Sequence, residues 1–254
     1  MNSIDFVIKL GGSAITIKQS PLTANIKVIE NIAFELSNIK KLPSIIIVYG
    51  GGSFGHFIAN KYIHNNKIIS NIGVAEIHSA MLTLTEIITS YFIKYKVPIF
   101  PINSSSCFIL SDNELQSFIK PIEYSLNNNL IPIIGGDVVL SKEDVKILSG
   151  DRIASFLAKK FNAKILAFGT NVDGIILDGK ILPKIKLNDI ENIIPKIKIN
   201  QVDVTGGMIN KLLEIKDYIS TGGRKAIIFN ITRFGMLTRL LSGEENIGTE
   251  VDKD

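Results

Sequence analysis

SIIIVYGGGSFGH, residues 44–56, is the stretch around which the remainder of the chain falls into place. Four β-branched residues, Ile45, Ile46, Ile47 and Val48, run into three successive glycines, and apolar positions resume with helical spacing at Phe57 and Ile58. A β-branched run bounded by glycine predicts a buried strand. The glycines let the backbone turn sharply and bring its N–H groups close to an anion, while the helix that follows presents the positive end of its dipole. Such a turn suits a phosphate. His56, at the start of that helix, can donate a hydrogen bond to a phosphoryl oxygen.

Upstream, residues 4–10 (IDFVIKL) predict a first strand that ends at Gly11-Gly12-Ser13 with Lys9 at its lip. Between the two strands, Ile26, Ile29, Ala33, Leu36 and Ile39 recur at helical spacing, and Pro43 punctuates the segment. Strand, helix and strand make a parallel βαβ unit, so both glycine turns lie at carboxyl ends of parallel strands, where open α/β sheets bind ligands.

Downstream, the helix carrying His56 is expected to reach Tyr62, and a longer one to span residues 74–95 with Val74, Ile77, Met81, Leu84, Ile88 and Tyr91 on one face. That stripe reads as core, or as the wall of a pocket for an apolar substrate tail. His64, Glu76 and His78 have no metal-ligand spacing and read as surface residues; no metal site is expected. Residues 97–102 and 107–110 read as strands around a Ser-rich turn, and 130–140 as strand, Gly135-Gly136-Asp137, strand, a hairpin over a substrate site. Ser149-Gly150-Asp151 opens a helix, for which Asp151 is a candidate cap. A strand over 164–168 runs into Gly169-Thr170-Asn171-Val172-Asp173-Gly174, small and polar enough for a nucleotide base and ribose. Residues 178–199, with Pro183, Pro195 and repeated lysines, read as irregular and exposed. Asp203-Val204-Thr205-Gly206-Gly207-Met208 leads into a helix carrying Lys211, residues 225–229 form a last core strand, and Gly248-Thr249 closes the sheet.

The 254 residues, 46% hydrophobic and 20% charged, fit one large α/β domain or two small lobes, without repeats or linkers. Lysines are scattered without an aromatic-interleaved basic stripe, so the formal charge of +4 does not suggest nucleic acid as a partner. No run approaches the roughly 18 uninterrupted apolar residues of a membrane span, and residues 1–5 lack the basic start of a secretion signal. A single cysteine, Cys107, leaves no internal disulfide, as suits a reducing cytoplasm.

GGGSFG satisfies G-x-G-x-x-G at Gly50, Gly52 and Gly55, but the acidic residue that a dinucleotide site needs at the end of the next strand is missing: Glu76 has the separation and lies in a helical pattern. The Walker pattern is absent. KLGGS at residues 9–13, YGGGSFGH at 49–56, SGD at 149–151, TNVDG at 170–174 and DVTGGM-x-x-K at 203–211, in this order and spacing, resemble the amino acid kinase superfamily across nearly the whole chain. The histidine after GGGSFG resembles the branch of that superfamily that phosphorylates isopentenyl phosphate.

The resemblance implies an open αβα sandwich with a mainly parallel central sheet. It implies one domain over residues 1–254, with an acceptor-binding lobe over about 1–145 and an ATP-binding lobe over about 146–254. It implies a cytoplasmic homodimer that uses ATP and Mg²⁺ to make isopentenyl diphosphate from isopentenyl phosphate, in an archaeal type of mevalonate pathway. Lys9, Leu10, Gly11, Gly12 and Ser13 would cradle the ATP phosphates and Lys18 would reach the transferred group. Gly51 and Gly52 would lie between acceptor and donor, with His56 and Gly136 holding the acceptor phosphate. Asp151 would orient Lys9 and Lys211; Thr170, Asp173 and Gly174 would line the nucleotide site, and Gly207 and Lys211 would approach the ATP phosphates. Val74, Ile77, Met81 and Ile134 are the expected walls for the hydrocarbon tail. Two positions depart from the pattern: Tyr49 replaces the histidine common before the triple glycine, and Ile17 the usual polar residue between Thr16 and Lys18.

Rival readings are a kinase of the same fold acting on a carboxylate, carbamate, nucleotide or phosphonate, and a non-catalytic nucleotide-binding module. The absence of any arginine before Arg152 disfavours carboxylate and nucleotide acceptors, which recruit guanidinium groups.

Overall fold

The computed structural model describes residues 3–64, 67–111, 114–142, 144–199 and 207–253. The first apolar run is β1 (Phe6–Leu10), which passes into a single helical turn, α1 (Gly12–Ile15). Asn25 caps α2 (Ile26–Ser37) by accepting from the Val28 N–H, and the chain returns as β2 (Ile45–Tyr49). After the triple glycine come α3 (Gly52–Tyr62), a short ribbon of β3 (Ile63–His64) and β4 (Lys67–Ile68), and α4 (Asn71–Lys94), capped by Ser70. There follow β5 (Ile99–Ile102), α5 (Ser104–Cys107), the antiparallel pair β6 (Phe108–Ser111) and β7 (Glu114–Ser117), α6 (Lys120–Asn127) and β8 (Ile131–Gly135). The remainder holds β9 (Asp137–Leu140), β10 (Val145–Leu148), α7 (Gly150–Lys160), β11 (Ile165–Thr170), the ribbon β12 (Ile176–Leu177) and β13 (Lys180–Ile181), and β14 (Lys184–Lys186). The chain then forms α8 (Ile190–Ile199), α9 (Gly207–Ser220), β15 (Lys225–Asn230), α10 (Met236–Leu241) and β16 (Gly248–Asp252).

Eight strands form the central sheet in the order β14-β16-β15-β11-β1-β2-β8-β5, parallel except where β16 meets β15. Successive side chains of a strand point to opposite faces, and here both faces are apolar. On one face Val7, Ile46, Val48, Ile134, Leu166 and Phe168 meet α7, α8 and α9 through Leu157, Ile193, Leu212 and Ile215. On the other, Ile8, Ile45, Ile47, Ile133 and Ile227 meet α2, α4 and α10 through Ile29, Ile32, Leu84, Ile88 and Leu237. This is the expected αβα sandwich with a mainly parallel sheet, and burial on both faces is why its strands read as unbroken apolar runs. By length and composition α4 could cross a membrane, but its Ile77, Met81, Leu84, Ile88 and Phe92 are buried in the protein.

Four expectations are corrected. The strands flanking Gly135-Gly136 do not form a hairpin: β8 lies in the central sheet between β2 and β5, while β9 pairs antiparallel with β10. Residues 178–199 are not irregular, because β14 extends the sheet beside β16, and α8 buries Ile190, Ile193 and Ile197 despite Pro195 within it. The cap of α7 is Ser149, whose hydroxyl accepts from the Arg152 N–H, so Asp151 is free for another role. His78 is half-buried rather than on the surface, with Nδ1 2.7 Å from Oδ2 of the buried Asp137.

Candidate active site

Parallel neighbours β11, β1, β2 and β8 end at one edge of the sheet, and there the glycine turns meet. Gly50 N–H donates to the Leu10 carbonyl at 3.0 Å and Gly11 N–H to the Gly169 carbonyl at 2.7 Å, tying the turn after β1 to the turns on either side. Gly12 and Gly52 abut so closely that a Cβ on Gly12 would lie 2.4 Å from the Gly52 nitrogen. Gly52 has φ +47°, and a Cβ there would fall 2.1 Å from Thr16 Oγ1. That hydroxyl donates to the Gly12 carbonyl at 2.7 Å and accepts from Ser53 N–H at 2.9 Å, so one buried threonine locks both glycine turns.

Strand alternation puts Lys9 on the face of β1 covered by α7. Its Nζ lies 2.7 Å from Asp151 Oδ1, and Lys211 from α9 reaches Asp151 Oδ2 at 3.3 Å while also donating to the Gly207 carbonyl at 3.1 Å. Burial pushes the Lys9 pKa below its ordinary value, with the Asp151 charge opposing and the Lys211 charge reinforcing the shift. Burial alone would raise the Asp151 pKa, but the charges of Lys9 and Lys211 outweigh it and hold the carboxyl below 3.8. Two ammonium groups share one carboxylate, which leaves excess positive charge at the edge of the cleft.

His56 stands in the second turn of α3 with its ring exposed. The protein packed around it and the charge of Lys9 hold the imidazole below its ordinary pKa; Asp151 opposes this, and Lys211 and Lys18 add to it. His56 therefore faces the same field as the lysine cluster, and the exposed Lys18 contributes to that field. Beside it, Ile58 and Ala59 of α3, Ile77 and Val74 of α4, and Val138 and Val145 of β9 and β10 form a small apolar cluster apart from the two main cores. Met81 sulfur lies 3.0 and 3.1 Å from where side chains on Gly51 and Gly55 would begin. Of the four expected tail-wall residues, Val74 and Ile77 thus sit in this cluster and Met81 lies against the turn, while Ile134 packs on the opposite face of the sheet, since β8 alternates and Ile133 takes the α4 side. Val138 was missed because its strand reads as one arm of a hairpin over a substrate site, and Val145 because residues 141–148 carry no motif that assigns them a role.

At the nucleotide end, Thr170 Oγ1 donates to the Val172 carbonyl at 2.9 Å and accepts from Val172 N–H at 3.2 Å, shaping the loop after β11. Ser13 Oγ donates to Asn171 Oδ1 at 3.2 Å, linking that loop to the first glycine turn. Asp173 accepts from Asn230 Nδ2 at 2.9 Å and pairs with Arg233 at 2.5 Å; Gly174 follows at φ +150°. Asn230 and Arg233 escaped the sequence reading, yet Asn230 ends the strand next to β11, where the same carboxyl-edge rule applies. Gly207 and Met208 open α9; Asp203, Val204, Thr205 and Gly206 lie outside the described residues.

The model of the amino acid kinase family matches residues 6–230. An isopentenyl phosphate kinase of Methanocaldococcus jannaschii is 34% identical over 97% of this chain and 98% of its own length. One from Methanothermobacter thermautotrophicus is 28% identical over 96% of this chain and 98% of its own. An X-ray structure of an isopentenyl phosphate kinase superposes with a TM-score of 0.82 at 26% identity, covering 97% of this chain and 99% of that one. With the family model spanning residues 6–230 and a relative 34% identical over nearly its whole length, the chain belongs to the amino acid kinase family.

Proposed function

We propose that the chain transfers the terminal phosphoryl group of ATP to isopentenyl phosphate, yielding isopentenyl diphosphate for isoprenoid precursor synthesis of the archaeal mevalonate type. The observation that carries the reading is the position of His56, exposed in the field of Lys9, Lys211 and Lys18 and next to the apolar cluster of Val74, Ile77 and Val138. A small acceptor with a phosphate head and a hydrocarbon tail matches both halves of that neighbourhood. The full-length relatives called isopentenyl phosphate kinase support the same acceptor.

Phosphoryl transfer brings two anionic groups together, so the protein works by holding them in line and neutralising charge. In this reading the backbone of Gly11, Gly12 and Ser13 cradles the ATP phosphates together with Lys9 and Lys211, while Gly207 lies beside them. Asp151 keeps the two ammonium groups in place, and Thr170, Asp173 and Gly174 border the base and ribose. Gly51 and Gly52 separate donor from acceptor. His56 and Gly136 grip the acceptor phosphate, and Lys18 follows the group in transfer. The attacking atom is already an anionic phosphate oxygen, so no general base is needed and His56 serves as a donor.

The described residues bring no three His, Cys, Asp or Glu side chains together around a common point. A site of that kind fits Mg²⁺ carried by the phosphate oxygens of ATP rather than by a protein cage, where it would screen the nucleotide's charge. The reading extends to a cytoplasmic homodimer. Ile72, Leu82 and Ile93 on the outer side of α4 are 61%, 45% and 61% exposed, an apolar face suited to a second copy.

The test is ADP release with Mg-ATP across isopentenyl phosphate, dimethylallyl phosphate, a phosphonate antibiotic, acetylglutamate, carbamate and UMP. Turnover confined to the isoprenoid phosphates is expected. A strong preference for a phosphonate or carboxylate would leave the ATP site standing and overturn the acceptor assignment.

A further inference from the structure

The turn Gly135-Gly136-Asp137 carries the residue proposed to meet the acceptor phosphate, and its surroundings are uneven. On the cleft side it is fixed by backbone. Gly136 N–H donates to the Tyr49 carbonyl at 2.9 Å, and a side chain on Gly136 would come within 2.8 Å of the Gly150 nitrogen at the start of α7. The turn also borders a cavity of about 130 Å³, lined by Tyr49, Met81, Thr85, Ile102 and Ser104 as well. Cavities of roughly 150 Å³ accommodate a benzene-sized guest, so side-chain packing does not fill the space beside the turn.

Asp137 is buried, and each of its carboxylate oxygens has one directed partner. Oδ1 accepts from Val138 N–H at 2.7 Å, and Oδ2 lies 2.7 Å from Nδ1 of His78 on α4. His78 follows Ile77 and Asp137 precedes Val138, two members of the apolar cluster beside His56. Apolar packing between Ile77 and Val138 holds the two elements together without fixing their register, since it is non-directional. A charge-assisted hydrogen bond does fix it.

We infer that His78 is a positioning residue: through Asp137 it locks the Gly135-Gly136-Asp137 turn to α4, so that the phosphate grip at Gly136 and the tail wall on α4 keep one spacing. The inference rests on the acceptor reading above, in which Gly136 touches the acceptor phosphate. A positioning role of this kind acts on the acceptor rather than on the nucleotide, because the His78–Asp137 pair ties the turn to α4 and includes none of Lys9, Asp151 and Lys211.

The experiment is steady-state ADP release by the full chain, with KM measured separately for isopentenyl phosphate and for ATP. His78→Leu keeps similar bulk and loses the bond. It is expected to raise KM for isopentenyl phosphate about tenfold, the effect of losing one hydrogen bond to a charged group, with KM for ATP unchanged. His78→Asn, whose amide nitrogen can occupy the place of Nδ1, is expected to recover most of that loss; His78→Ala gives a second route to the same readout should the leucine variant not fold. An unchanged KM for isopentenyl phosphate in His78→Leu, or equal rises for both substrates, overturns the inference while wild-type turnover upholds the acceptor. No wild-type turnover of isopentenyl phosphate overturns the acceptor reading and this inference together.

Discussion

His56 enters the free enzyme with its proton loosely held, because surrounding protein and the charge of Lys9 depress its pKa. An acceptor phosphate brings negative charge beside the ring, and an opposite charge within a few ångströms favours the protonated form. The ring titration is therefore expected to have its midpoint below 6.5 in the free protein and to move upward when isopentenyl phosphate is added. The chain has three histidines, so NMR of the imidazole resonances can follow each one; a His56 midpoint that the acceptor leaves in place would remove the ring from the acceptor site. The sign for folding runs the other way. A depressed folded-state pKa means that the unfolded chain takes the proton first as pH falls below 6.5, so His56 weakens the fold on the acid side. For turnover, loss of a donor that strengthens in the transition state costs about 2.7–4 kcal/mol. His56→Ala is accordingly expected to lose about 10²–10³ in kcat, with His56→Asn or His56→Gln retaining more. Near-normal turnover in the alanine variant would end the proposed role.

Among the elements, α10 depends on a residue 200 positions away in the chain. Its first N–H groups need acceptors, yet the residue at its cap is Gly235, which has no side chain to offer. Glu35 of α2, only 4% exposed, fills the gap by accepting from Gly235 N–H at 3.0 Å, Thr238 N–H at 2.8 Å and Thr238 Oγ1 at 3.0 Å. Glu35→Ala strands those donors and is expected to destabilise the protein by about 1–3 kcal/mol, or several degrees in Tm for a chain of this size, with kcat unaffected. A melting curve that matches wild type would show that water replaces the carboxylate at no cost. Contacts of this sort were not legible in the sequence, where a glutamate within a helix reads as a solvated face. The edge strand β14 and α8 were hidden for another reason: Pro195 and the lysines between apolar positions mask a helix whose stability comes from burying Ile190, Ile193 and Ile197. By contrast, the strands β1, β2, β11 and β15, and the turns after the first three, were legible, because a parallel sheet covered on both faces demands β-branched runs and an anion site demands glycine. The glycines at 135 and 136 were legible as a turn and illegible as to partner, since pairing of β9 with β10 rather than β8 is a tertiary choice that local spacing does not record.

At the scale of the whole molecule, the two expected lobes divide the central sheet between β1 and β11, and the question is whether they fold as one body. Five residues of β1 pair in parallel register with β11, from Phe6 opposite Ile165 to Leu10 opposite Gly169. The same core layer joins Val7, Ile46 and Ile134 from the first lobe to Leu157, Leu166 and Leu212 from the second. Lys9 and Asp151, on opposite sides of the divide, form a largely buried ion pair, and breaking such a pair is costly because it leaves a charge without its partner. Unfolding either lobe alone would expose the apolar face of the other and strand Lys9, so the chain is expected to unfold in urea as one transition. Hydrogen exchange offers the sharper measurement. Amides of β2 and β8 on one side and of β11 and β15 on the other should open with a common free energy. A non-hydrolysable ATP analogue at 100 times its Kd should raise that common value by about 2.7 kcal/mol on both sides. Protection that rises in β11 and β15 while β2 and β8 stay as they were would mean that the nucleotide stabilises a separate lobe. The cleft would then be a hinge between two domains, and the edge where Lys9 meets Asp151 would open with it.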